Sequence, residues 1–127
     1  MKSNYLIYPM VLSDYDFQTI TNCLSLINSL NFNGIDSLSP NFHHIIYSVA
    51  KASLDLQEMI TNKNTRGYRY NSYVLNMAIL KLTFVSELIE NKFSLVLPEH
   101  YKTLNSVIKQ LHSVLSTAYE LQEIEEK

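Results

Sequence analysis

Apolar residues recur along this chain at intervals of three and four in four separate runs, the spacing that lines one face of an α-helix. The first run, Phe17, Ile20, Leu24, Ile27 and Leu30, follows Ser13, whose hydroxyl can cap a helix with Asp16 as a weaker capping-box partner. Ser39 and Pro40 announce the second, an N-cap followed by proline at the first helical position, where its missing N–H costs nothing. Its stripe is Phe42, Ile45, Ile46, Val49, Ala52, Leu56, Met59 and Ile60, and NKNTRG with Gly67 supplies the stop. Between the two, NFNGIDSLSP holds Asn33, Gly34, Asp36 and Ser37, which is loop chemistry. The fourth run follows Pro98 and keeps a bundle-seam spacing through Tyr101, Leu104, Ile108, Leu111, Leu115 and Ala118, widened by Val107, Val114 and Leu121.

The third run, from about Arg69 to Lys92, differs in carrying two apolar stripes. One is Tyr73, Met77, Leu80, Phe84 and Leu88; the other is Leu75, Ile79, Leu82 and Ile89. Only Ser72, Asn76, Thr83, Glu87 and Glu90 mark a narrow polar side. One neighbouring helix cannot cover so wide a surface, so this helix is expected to be central or to form a subunit interface. The pattern as a whole predicts an all-α fold: an antiparallel four-helix bundle over residues 13–127, preceded by an extended N-terminal arm over residues 1–12. The arm's NYLIYPMVL is apolar and β-prone, but Pro9 makes it a docked segment rather than a central strand.

Composition agrees with one helical domain. With 127 residues and 46% hydrophobic content the chain can bury a core without staples, and two glycines and three prolines are too few for the turns of a sandwich or barrel. Cys23 stands alone, which excludes an internal disulfide or a cysteine zinc cage and suits a reducing, cytoplasmic setting. No run approaches the roughly 18 apolar residues of a membrane span, and the start lacks a signal peptide's apolar centre, so no membrane role is expected. The formal charge of −2 lacks the footprint of a dedicated nucleic-acid binder, although Asn41 to Tyr119 holds eight Lys or Arg against five Asp or Glu. The acidity gathers at the end, where the last eight residues carry four Glu and one Lys.

Candidate chemistry is sparse. His43, His44, His100 and His112 include no pair at helical i, i+4 spacing, and three residues beyond Glu58, Glu87, Glu90 and Glu99 there is never a His, as a di-iron bundle would require. Glu87 and Glu90 read as a solvated face, and Cys23 as a buried structural thiol. The expectation is a non-enzymatic protein with no metal, cofactor or small-molecule substrate. One segment, KNTRGYRY, does mix phosphate-pairing charge with flat aromatic faces: Lys63, Arg66, Tyr68, Arg69 and Tyr70 form the candidate surface for a partner or nucleic acid.

The stretches NFHHIIYSVAKASLDLQEMI and LNMAILKLTFVSELIENKFSLVLPEHYKTLNSVIKQLHSVLSTAY resemble two related groups of proteins. These are the accessory variability determinant proteins of diversity-generating retroelements and the bundle proteins encoded in intervening sequences of ribosomal RNA genes. The likeness lies in the succession of helix lengths, an L-x-x-A-x-x-x-L pattern from Leu75 to Leu82, and a last helix opening around Glu99 and Tyr101. It implies a homo-oligomeric bundle that binds a reverse transcriptase and its RNA through basic surfaces. This chain departs from the pattern in its net negative charge and in offering only Lys81 between the ends of the third helix, which shifts the expectation toward protein contacts. The rival expectation is a small monomeric inhibitor of the immunity, antitoxin or phage antidefence kind, binding one protein partner.

Overall fold

A computed structural model describes residues 12–63 and 68–126, the side chains of 68–70 and 118–126 excepted. The expected arm, save its last residue Leu12, thus lies outside the described residues. Four helices follow one another: α1 (Asp14–Asn28), α2 (Pro40–Asn62), α3 (Tyr68–Phe93) and α4 (Pro98–Glu126). No strand occurs among the described residues. Each helix packs on its chain neighbours and α4 returns to α1, closing a ring in which the α2–α3 seam is the most extensive. Directions alternate. On α1 and α2, Lys63 lies over Phe17 while Ser53 donates to Asn28, and at the α1–α4 side Asn31 meets His100. The all-α antiparallel four-helix bundle follows from the periodicity.

The helix starts obey their capping signals. Ser13 Oγ accepts from the Asp16 N–H at 3.1 Å while Asp16 Oδ2 accepts from the Ser13 N–H at 3.1 Å, a complete capping box. Ser39 Oγ accepts from the Asn41 N–H at 3.1 Å ahead of Pro40. α2 stops within the expected NKNTRG stretch, at Asn62, and Lys63 takes the cap with φ 48° and ψ −122°. Glycine adopts that backbone pair freely, whereas a side chain there strains by about 1 kcal/mol.

The core is largely a stack of aliphatic residues, each contributing about 1.5–3 kcal/mol of burial. It runs through Ile20 and Ile27 on α1, Leu56 and Met59 on α2, Leu75, Leu82 and Ile89 on α3, and Leu104 and Leu111 on α4. On α4 the seam centres on Leu104, Val107, Leu111 and Val114, with Ile108 displaced to its flank, so Val107 is core rather than widening.

Helix length decides the rest. α1 has 15 residues, about 22 Å, against 23 residues and about 35 Å for α2. Asn28 therefore ends opposite Ser53, and the first half of α2 runs past it. The connection 29–39 fills the shortfall: Phe32 and Ile35 are buried, and the Asn31 N–H donates to His100 Nε2 at 3.3 Å beside an edge-on Phe32–His100 pair at 5.2 Å. Gly34 sits so close to Val96 of the α3–α4 corner that a Cβ there would collide with its methyl. Sequence reasoning made this stretch a simple loop and missed its part in the core.

Candidate functional site

α3 places its two stripes on opposite sides. Leu75, Ile79, Leu82 and Ile89 are buried against the other helices. Tyr73, Leu80 and Phe84 are 64, 61 and 46% exposed, and Met77 and Leu88 are half-buried among them. The stripe that faces out is thus the one beginning at Tyr73. Its two apolar sides also make Asn71–Phe93 long and apolar enough, by composition alone, to cross a bilayer, with half of that window buried in the bundle.

α2 extends this face. His44 meets the Phe84 ring edge-on at 6.5 Å, and two and three turns further along the same side stand Lys51 and Asp55. Asp55 Oδ2 accepts from Lys81 Nζ at 2.6 Å, tying α2 to α3 at the edge of the stripe. Between His44 and Lys51, Tyr47 is exposed and Lys51 Nζ lies 5.8 Å from its ring centre. The Lys81–Asp55 pair leaves the apolar run bordered by a neutralised charge rather than a repelling one. Sequence reasoning did not single out Tyr47, which stands exposed off the α2 stripe.

A second apolar surface follows from the short α1. Ile46, expected in the α2 core stripe, instead opens onto a groove of about 740 Å³ between α1, the 29–39 connection and α2. Leu24, Ile27, Phe32, Phe42 and Leu54 line it, no charged side chain does, and α1 ends before it could fill the space.

Of the segment singled out for partner binding, Lys63 is exposed and turned back over the Phe17 ring at 6.0 Å. Arg66 lies outside the described residues. Tyr68, Arg69 and Tyr70 form the first turn of α3, their side chains outside the described ones. The histidines are scattered: His43 and His44 open α2, His100 packs at the α4 start and His112 is exposed midway along it. No group of three or more His, Cys, Asp or Glu able to hold a metal ion forms among the described residues. Glu87 and Glu90 are exposed on α3. Cys23 is buried in α1, where burial pushes its thiol up to about 11 and keeps it protonated and unreactive at neutral pH.

The geometry is an apolar face with the Lys81–Asp55 pair at one margin and the exposed Glu87 at the other. Compared with protein-family models, with curated proteins and with solved structures, the chain finds no match.

Proposed function

We propose that this chain is a non-enzymatic accessory bundle that self-associates through the outward stripe of α3 and presents its α2–α3 end to a macromolecular partner. The observation that carries the reading is the exposure of Tyr73, Leu80 and Phe84 in one continuous helical row. Scattered exposed apolar residues need no explanation, but a contiguous row rimmed by polar groups marks an interaction site. A second copy suits it because the row holds no charge, and Lys81 at its margin is already paired with Asp55. For the partner at the α2–α3 end, the family resemblance points to a reverse transcriptase and its RNA.

Light scattering across a concentration series tests the reading. The wild-type protein should exceed the monomer mass at micromolar concentration, and Leu80→Glu should be a folded monomer with an unchanged circular dichroism spectrum. A wild-type protein that stays strictly monomeric would sink the proposal and favour the inhibitor class, provided it binds a single protein partner in stoichiometric amount.

A further inference from the structure

The apolar groove beside the short α1 has a chemical counterpart in this chain. Its lining holds no charged side chain, and from Ser3 to Ser13 the sequence holds none either, the nearest charges being Lys2 and Asp14. Tyr5, Leu6, Ile7, Tyr8, Met10 and Val11 crowd that stretch. Around the apolar floor of the groove stand Asn28, Asn31, Asn33, Ser53 and Gln57. An amide side chain both donates and accepts, so this rim suits an extended backbone, whose N–H and C=O groups need partners once water is excluded.

The start of α1 sets the direction. Leu12 and Phe17 are both buried and hold the N′ and N4 positions around the Ser13 cap, the pair that forms a hydrophobic staple and fixes the angle at which a chain enters its helix. Phe17 lies under Lys63 of α2, so this pair is on the α2 side of α1. The smaller hollow of about 180 Å³ between α1 and α4, lined by Tyr15, Asp16 and Thr19 among others, opens on the other side.

We infer that residues 1–11 fold back along the α1–α2 seam and lay their first half in the groove, so that the chain covers it with its own arm. Length agrees with this path. Leu24, at the near end of the groove, is about 18 Å along α1 from Leu12, and from Gln57 to Phe42 the groove follows α2 for about 22 Å. An extended strand advances roughly 3.3 Å per residue, so about six residues bridge from Leu12 to the groove and Met1 to Leu6 span most of it. Pro9 falls in the bridging part, ahead of the amide rim, where its missing N–H forfeits no bond. Tyr5 comes level with Leu54, which is 62% exposed in the groove wall. The arm takes the place that a longer α1 would have filled, and it does so independently of self-association through α3.

Disulfide trapping in the full chain tests this path, with the buried, protonated Cys23 silent. Leu54→Cys lies in the groove wall, and Ser106→Cys is exposed at a similar height on α4, beyond the His100 that meets Asn31. Each is combined with Tyr5→Cys and oxidised in dilute solution. The Leu54→Cys pair should close an intrachain disulfide at least tenfold faster than the Ser106→Cys pair. Adding Leu6→Asp and Ile7→Asp should abolish the difference, because a carboxylate entering an uncharged groove loses its hydration. A second readout needs no cross-link: in Leu54→Cys alone, thiol labelling should quicken several-fold when the same two aspartate substitutions are added, with an unchanged circular dichroism spectrum. Equal closure rates for the two pairs, or labelling indifferent to the arm substitutions, overturns the inference. So does a disulfide between Tyr5→Cys and Leu54→Cys that joins two chains instead of closing one, because the groove then takes the arm of a second copy.

Discussion

Two sides of one helix, both apolar and both at helical spacing, have opposite fates in α3. Leu75, Ile79, Leu82 and Ile89 lie against the other helices, while Tyr73, Leu80 and Phe84 stand in solvent. Hydrophobicity alone does not separate them. The inward row is aliphatic with the small Ala78 beside it, which lets the neighbouring backbones approach, and the outward row is richer in aromatic and flexible side chains. Burial in the bundle selected shape, and the row left outside kept the residue types that protein interfaces favour.

The sharpest way to break the contrast is to truncate one residue from each row. Leu82→Ala should lower unfolding stability by about 2–5 kcal/mol in a urea titration. Leu80→Ala, measured at a concentration where the protein is monomeric, should fall within about 0.5 kcal/mol of wild type. Equal losses would mean that the outward row is structural after all. A smaller effect separates packing from hydrophobicity: Gly34→Ala adds a methyl group but drives it into Val96, so it should destabilise by about 1–3 kcal/mol in the same titration. Lys63→Gly relieves the left-handed strain at the end of α2, near the start of both rows, and should raise stability by up to about 1 kcal/mol. The smallest change belongs to the boundary between the rows. Lys81→Met removes a partly exposed pair with Asp55 and should cost under about 1 kcal/mol, less at high salt.

Much of the fold was legible because its signals are local. Ser13 with Asp16, Ser39 with Pro40, and Pro98 each mark a helix start through groups within a few residues, and three- and four-residue spacing is a property of the helix itself. The unread features depend on distances between helices. Nothing in α3 alone says which of two equally spaced rows turns inward, since that is settled by where α2 and α4 stand. The burial of Phe32 and Ile35, and the emergence of Ile46 into a groove, follow from α1 ending at Asn28 opposite Ser53, a mismatch between elements that neither element announces. At the end of α2 the backbone turns at Lys63, inside the NKNTRG stretch and four residues ahead of its glycine in the sequence. Of the candidate surface KNTRGYRY, the charge and ring content could be read, but whether those side chains converge is a property of the connection's path.

The short α1 also bears on how the molecule opens. It shares less contact with its neighbours than α2 and α3 share with each other, and its last turn borders the groove rather than a full-length companion. The α2–α3 pair is consecutive in the chain and needs only a short loop to close, so it assembles early at little entropic cost, whereas α1 and its connection must fold back onto α4 from far along the sequence. In the native ensemble the amides of α1 and residues 29–39 should therefore exchange with solvent through openings cheaper than global unfolding. The α2–α3 hairpin, which carries the outward row, would then remain assembled while the other side of the bundle breathes.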